Sequence, residues 1–375
     1  MISLKNQGAV ALVLLTAVSC SPRSGERSDT GQVDTASSTV SPAAEPRTSP
    51  AAPNQQMQAV LTQLGALHPK PIPQLSAAEA RKQPTPADAV KALLKKEGKS
   101  AVPEPVANVT NRTIPGAGGP IPIRIYTPKG AGPFPVVVYY HGGGWVIADL
   151  DTYDASPRAL VNLTNAIVVS SHYRQGPEHK FPAAHQDAFS AYRWVLANAK
   201  SFKGDPSKVA VVGESAGGNL AASVSMMARD SGAQLPVHQV LVYPIAGYDV
   251  NTLSYLENAE AKPLNKPMMQ WFFQQYLGNP ADGKNPLIDL VHADVQGLPA
   301  TTVIAAQIDP LRSEGKDLAD RLKDAGVEVD YKNYEGAAHE FFGMGAVLDD
   351  AKVAQEQAAA GLRKGFGATR TASAQ

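Results

Sequence analysis

Gly213-Glu214-Ser215-Ala216-Gly217 stands directly behind the apolar run Val209-Ala210-Val211-Val212 and ahead of a helically patterned segment, Asn219 to Arg229. A serine that attacks a carbonyl must stand clear of the backbone at the end of a rigid strand. The sharp turn that lifts it there crowds the positions two residues to either side, and glycine at both relieves the crowding. The helix behind it aims backbone N–H groups and the positive end of its dipole at the serine. Taken by itself the pentapeptide also fits a plain Gly-rich turn, so the rest of the chain must supply the remaining chemistry.

A serine hydroxyl is a weak nucleophile at neutral pH and needs a base within hydrogen-bond reach and an acid to orient that base. Behind an elbow of this kind the partners follow in the order Ser, acid, His. Three histidines follow Ser215: His238, His292 and His339. His238 begins an apolar strand, a poor place for a mobile base, and His292 lies in an irregular interval. His339 closes the small-residue stretch Glu335-Gly336-Ala337-Ala338, read here as a loop at a carboxyl end of the sheet, and is the candidate base. Asp309 lies just past the strand Thr301 to Ala306, with Pro310 blocking regular structure beyond it, and is the candidate acid. Glu314, Asp317 and Asp320 fall inside the following helix and read as solvated face residues or caps. His141-Gly142-Gly143-Gly144 follows a buried strand, where glycines let the backbone approach a substrate and point N–H groups inward. With the N–H of Ala216 they would receive the oxyanion of a tetrahedral intermediate. His141 precedes these donors and reads as a holder of the loop, not as a base.

The elements that must position these residues alternate along the chain. Val106 to Ile114 and Ile121 to Tyr126 form a hairpin around Pro115-Gly116-Ala117-Gly118-Gly119-Pro120. That glycine cluster lacks the lysine and following helix of a phosphate loop and reads as a turn. Apolar runs at 136–140, 166–170, 209–212, 237–242, 301–306 and 327–331 supply six further strands, with helical stretches at 152–163, 182–199, 314–325 and 347–362. This alternation predicts an α/β fold with a mostly parallel, doubly wound, eight-stranded sheet. Two regions stand outside it. Met57, Val60, Leu61, Leu64 and Leu67 recur at helical spacing, Ser76 with Glu79 makes a capping box, and Asp88 to Glu97 forms another short helix. The interval between Tyr243 and Thr301 holds Met268, Met269, Trp271, Phe272, Phe273, Tyr276 and Leu277 in one helical stretch. Most of these side chains fill a local core, and part of that apolar surface is expected to face a substrate.

His141-Gly142-Gly143-Gly144-Trp145, Gly213-Glu214-Ser215-Ala216-Gly217-Gly218-Asn219, Asp309-Pro310-Leu311-Arg312 and His339-Glu340-Phe341 together resemble the hormone-sensitive lipase-like carboxylesterases of the α/β-hydrolase fold. The stretch Tyr173-Arg174 to Pro177-Glu178 and Phe181-Pro182-Ala183-Ala184 is also similar, and the likeness covers residues 56–366. The resemblance implies Ser215 as nucleophile, His339 as base, Asp309 as orienting acid, and Gly143, Gly144 and Ala216 as oxyanion donors. It implies a helical cap from residues 56–105 and 246–292, flanking core segments 106–245 and 293–366. Glu214 stands where aspartate is frequent, and Ser313 where the family often has an acid; neither removes a catalytic group. The implied reaction is hydrolysis of short to medium acyl esters through an acyl-enzyme. Amide, lactone or carbamate cleavage on the same triad, and a non-catalytic small-molecule-binding protein on the same scaffold, are the other readings.

At 375 residues with 43% hydrophobic content, the chain has enough apolar material for a sizeable core, and its formal net charge of zero gives no field for nucleic acid. The scattered histidines and absence of an H-E-x-x-H or Cys cluster point to no metal or cofactor. Lys5 and the run Ala9 to Val18 have the form of a signal peptide too short to span a bilayer. Val18-Ser19-Cys20 resembles a lipoprotein processing site, with Ala17 where leucine is usual, and Cys20 is the only cysteine in the chain. The expected leader is 1–19, with Cys20 as lipid attachment point. A Ser, Thr, Pro and Ala-rich tether, 20–55, would follow, and 367–375 would form a tail. An exported, envelope-facing enzyme acting on a small ester is the expectation. An ordinary secretory peptide is the alternative, and the oligomeric state is left open.

Overall fold

Alternate side chains of the central strands enter two different apolar cores, one on each face of a single sheet. The computed structural model describes residues 51–367. The leader, Cys20, most of the tether and the tail beyond residue 367 lie outside the described residues. The strands are β1 (Asn108–Gly116), β2 (Gly119–Thr127), β3 (Phe134–Tyr140), β4 (Ile167–Ser171), β5 (Gly204–Glu214), β6 (Gln239–Val242), β7 (Thr301–Ile308) and β8 (Val329–Ala338). They lie in the order β1-β2-β4-β3-β5-β6-β7-β8. The β1–β2 and β2–β4 pairings are antiparallel, and every pairing from β4–β3 through to β7–β8 is parallel.

Val136, Val138, Tyr140, Val209, Val211 and Val303 share one core, and Val137, Tyr139, Ala210, Val212, Ile304 and Ala306 the other. The period of two along each strand produces this split, and burial on both faces explains why these strands read as unbroken apolar runs. α5 (Ala183–Asn198), α6 (Ala216–Asp230) and α9 (Arg312–Asp324) close the first core. α4 (Ala155–Thr164) and α10 (Asp349–Gly365) close the second. Each fully buried Val or Leu in such a layer contributes about 1.5–3 kcal/mol.

The parallel pairing has one functional consequence. β3, β5, β7 and β8 all end at the same edge, so the segments behind Tyr140, Glu214, Ile308 and Ala338 meet there. β3 and β5 are adjacent, yet the chain leaves β3 toward β4 and leaves β5 toward β6. A crevice opens at such a reversal of strand order.

Helices α1 (Gln55–Ala66), α2 (Ala77–Ala80) and α3 (Pro86–Lys96) precede the sheet. Residues 54 and 55, the last two of the expected tether 20–55, belong instead to the start of α1. Asn54 caps α1 by accepting from Met57 N at 2.9 Å, and its own N–H donates to Gly336 O at 3.0 Å, so the chain is already fixed there. Ser76 and Glu79 form the expected capping box. A second box, Thr85 with Asp88, starts α3 at Pro86, two residues before the sequence-based start. The connection between β6 and β7 carries α7 (Leu253–Glu257) and α8 (Lys266–Tyr276).

Two sequence expectations are corrected. Glu335 to Ala338 is not a loop but the last part of β8, because Ala338 still pairs with Ile308 across a register shift. Glu314 is not a solvated face residue. It is 2% exposed and accepts the Ala246 N–H at 2.8 Å, fastening the start of the β6–β7 connection to α9. Burial pushes its carboxyl well above the ordinary range, against the backbone N–H groups of Ala246 and Gly247. Among the described residues no helix is long and apolar enough to cross a membrane.

Candidate active site

β5 delivers Ser215 at its carboxyl end, and α6 starts one residue later. Ser215 has φ 57° and ψ −119°, a conformation that L residues rarely adopt. The surroundings enforce it. Ser215 N donates to Val242 O at 2.9 Å, and Ser215 O accepts from Asn219 N and Ile245 N at 3.1 and 3.2 Å. A Cβ on Gly213 would lie 1.9 Å from Gly217 O, and one on Gly217 would lie 1.9 Å from Tyr140 O. Both glycines are therefore required by backbone contact.

His339 follows β8 and Asp309 follows β7. His339 Nε2 is 3.0 Å from Ser215 Oγ, and His339 Nδ1 is 2.6 Å from Asp309 Oδ2. Ser215, His339 and Asp309 are 4%, 2% and 0% exposed, so bulk water does not compete for these bonds. Because Asp309 can only accept while ionised, the network assigns a proton to Nδ1 and leaves Nε2 free to accept from the serine. Asp309 is held in turn: its Oδ1 accepts from Leu311 N at 2.9 Å and its carbonyl from Asn258 Nδ2 at 3.3 Å. Burial disfavours the imidazolium, but the Asp309 charge and hydrogen bond, with the charges of Glu340 and Glu214, outweigh it and raise the pKa of His339.

The glycine loop behind β3 has φ +94° at Gly143 and +58° at Gly144. A Cβ on Gly144 would meet the Phe272 ring at 2.2 Å, and one on Gly143 would meet Ile147 O at 2.2 Å. Ala216 is the first residue of α6, where N–H groups have no acceptor within the helix. The sequence candidates Gly143, Gly144, Ser215, Ala216, Asp309 and His339 thus come together at one edge of the sheet. His141 is buried beneath the loop. Its Nδ1 is 2.8 Å from Gly142 O, its Nε2 is 3.1 Å from His172 Nδ1, and its ring stacks on Tyr173 at 4.5 Å. Burial, then the neighbouring His172, pushes its pKa down to about 3, so it is neutral. His238 sits at the amino end of β6 and bonds Thr302 Oγ1, and the exposed His292 bonds only Asp289. Neither reaches Ser215.

A cleft of about 930 Å³ opens over Ser215 and His339. Its walls come from the amino-terminal segment, including Leu61, Leu64 and Ile72, and from the β6–β7 connection, including Met268 and Phe272. The remaining large side chains of α8, Met269, Trp271, Phe273 and Tyr276, are buried in the core. Tyr276 stacks on Trp145 at 4.9 Å and its hydroxyl is 3.0 Å from His185 Nδ1. His185 Nε2 is 2.9 Å from Asn219 Oδ1 on α6, which ties α8 to the nucleophile helix.

Sequence reasoning missed the glutamates' surroundings. Glu214 is 1% exposed and accepts from the hydroxyls of Tyr139 and Tyr243. Burial, then Glu340, pushes its pKa up to about 7. Tyr153 donates to Glu340, and both line the cleft. The available signal was position alone: each glutamate is next to a candidate catalytic residue.

The sequence profile described as alpha/beta hydrolase fold matches residues 137–343. The chain belongs to the α/β-hydrolase family. This hydrolase is 39% identical over 249 residues to carboxylesterase NlhH of Mycobacterium tuberculosis, covering 65% of the chain and 78% of NlhH. It is 35% identical over 247 residues to an arylesterase of Saccharolobus solfataricus, covering 65% of the chain and 80% of that protein. Among solved structures, a hyperthermophilic esterase from Pyrobaculum calidifontis superimposes with a TM-score of 0.77 at 38% identity, over 84% of this chain and 98% of that one. Within the α/β-hydrolases it is a hormone-sensitive lipase-like carboxylesterase, and it hydrolyses carboxylic esters of small molecules.

Proposed function

We propose that this carboxylesterase cleaves short to medium acyl esters through an acyl-enzyme on Ser215. The observation that carries the proposal is the unbroken chain from Ser215 Oγ to His339 Nε2 and from His339 Nδ1 to Asp309, opening into the cleft. Ser215 Oγ attacks the carbonyl carbon while its proton passes to His339 Nε2. The carbonyl oxygen gains the electron pair and faces the N–H groups of Gly143, Gly144 and Ala216. The C–O bond to the alcohol then breaks, and His339 returns the proton to the leaving oxygen. Water repeats the sequence on the acyl-enzyme and frees Ser215. The apolar wall at Met268, Phe272 and Leu61 suits an acyl or aryl group.

We also propose export and attachment to the cell envelope through lipidated Cys20. The supporting features are the apolar run Ala9 to Val18, the small residues before the lone cysteine and the polar tether behind it. The mass of the mature amino terminus tests this, and an unmodified end other than Cys20 rejects it. For the chemistry, a fluorophosphonate should label Ser215. Ser215→Ala should abolish labelling and lower kcat on the order of a million-fold, across a series of activated esters of increasing acyl length. Ester turnover retained in that variant, or activity rising steadily toward the longest chains, would reject the mechanism or the chain-length assignment respectively.

A further inference from the structure

Glu340 sits in a backbone conformation that argues for a task. Its φ is 73° and ψ 1°, in the left-handed region where glycine fits without strain and a glutamate side chain does not. Its side chain is 21% exposed at the cleft wall, with the carboxylate turned toward the site. Oε1 accepts from the Tyr153 hydroxyl at 2.5 Å and lies 3.9 Å from His339 Nε2. That nitrogen is the one 3.0 Å from Ser215 Oγ. Tyr153 also touches the other half of the site, since a Cβ on Gly142 would lie 2.2 Å from its hydroxyl.

We propose that Glu340 is a positioning residue for the base, a second carboxylate that holds the imidazolium of His339 from the Nε2 side while Asp309 holds it from Nδ1. The inference rests on His339 acting as the base for Ser215. A gap of 3.9 Å is too long for a hydrogen bond, so Glu340 does not take the proton itself. It acts through its charge on the nitrogen that receives the proton, and the near-complete burial of His339 preserves that interaction although Glu340 lies at the cleft wall. Tyr153 keeps the carboxylate from swinging onto Nε2 and ties its position to the oxyanion loop.

The groups around His339 are few. Asp309 faces it from the end of β7, Glu214 from the end of β5, and Glu340 from its own turn. Tyr243, behind β6, packs its ring 4.5 Å from the imidazole with its hydroxyl on Glu214. Tyr139 on β3 also bonds Glu214, and Tyr153 bonds Glu340. Burial lowers the proton affinity of His339, while Asp309, Glu340 and Glu214 raise it. A base must be neutral to accept the serine proton, so activity falls as pH drops through the pKa of His339. Removing the Glu340 charge lowers that pKa and moves the acid limb of kcat/KM to lower pH. It also withdraws support from the imidazolium in the transition state, so kcat falls.

The test compares Glu340→Gln, which keeps the shape and the acceptor for Tyr153, with Glu340→Gly, which suits the backbone. Both should shift the acid limb to lower pH and reduce kcat about tenfold with KM little changed. Glu340→Gly should melt no earlier than the parent enzyme, which separates an electrostatic role from a structural one. An acid limb that stays in place in both variants, with kcat within about twofold of the parent, overturns the inference. Fluorophosphonate labelling of Ser215 in the parent, with Ser215→Ala as control, is run beside them. Failure of that control strikes the triad assignment, and failure of the Glu340 pair strikes only this one.

Discussion

The floor and the roof of the cleft are built by different physics. The floor, at the carboxyl ends of β3, β5, β7 and β8, consists of buried polar groups in directional bonds. Ser215, His339 and Asp309 each have assigned partners, and the strained backbone of Ser215 is held by two hydrogen bonds to the segment at the end of β6 and one from its own helix. The roof presents apolar side chains to the cleft, among them Leu61, Leu64, Ile72, Met268 and Phe272, and is tied down by a few polar contacts. Trp271 Nε1 donates to Leu75 O at 3.2 Å, linking the β6–β7 connection to the amino-terminal segment. Arg81 donates to Val146 O and Gly176 O and pairs with Glu178. Directional bonds fix atoms to the tolerance that bond-making needs, whereas packed side chains define a volume that different acyl groups can share. Phe272 crosses the division, because it belongs to the roof yet rests on Gly144 of the floor.

Three substitutions can break or sharpen this contrast. The largest effect is expected on the floor. Asp309→Asn should cost about 10⁴ in kcat, because an amide presents His339 with the wrong hydrogen-bond partner and tautomer. A loss under about tenfold in steady-state kinetics would show that the floor does not depend on directional orientation. Phe272→Ala comes next, with kcat reduced roughly tenfold to a hundredfold as the Gly144 backbone loosens, and stability lower by about 3 kcal/mol. If only KM changes, Phe272 is a wall of the cleft and nothing more, and the two regions are more independent than the contact suggests. Glu178→Ala should have the smallest effect, because it removes the ion pair and leaves the Arg81 bonds to Val146 O and Gly176 O in place. The Arg81–Glu178 pair is partly exposed, so denaturant titration should show a loss of about 1 kcal/mol or less, with kcat unchanged for small esters. A loss comparable with that of Phe272→Ala would mean that ion pairing, not packing, fastens the roof.

Much of the floor was legible in advance because its requirements are local. Gly213 and Gly217 are demanded because a Cβ at either would lie 1.9 Å from a backbone oxygen within or beside the turn, and such demands leave a fixed spacing in the chain. The strands were legible because burial on both faces leaves apolar runs. Boundaries were less so. Residues 335–338 look like a loop by composition, yet pairing with β7 keeps them in β8. Glu314 looks like a helix surface residue, yet the β6–β7 connection lies over it. Ser313, in a place where an acid is frequent, trades hydrogen bonds with Ser254: Ser254 N donates to Ser313 Oγ and Ser313 N to Ser254 Oγ. These contacts join residues about sixty positions apart, and neither local propensity nor spacing carries them.

The order Ser215, Asp309, His339, the glycines that accommodate the elbow and the strand–helix alternation were set by the chain itself, since each reflects a steric or periodic constraint within a few residues. The partners of Glu214 and Glu340, the seat of Phe272 on Gly144 and the shape of the cleft were decided only when distant segments met. A carboxyl group's proton affinity depends on what surrounds it in three dimensions, and adjacency in sequence to a nucleophile or a base does not specify those surroundings.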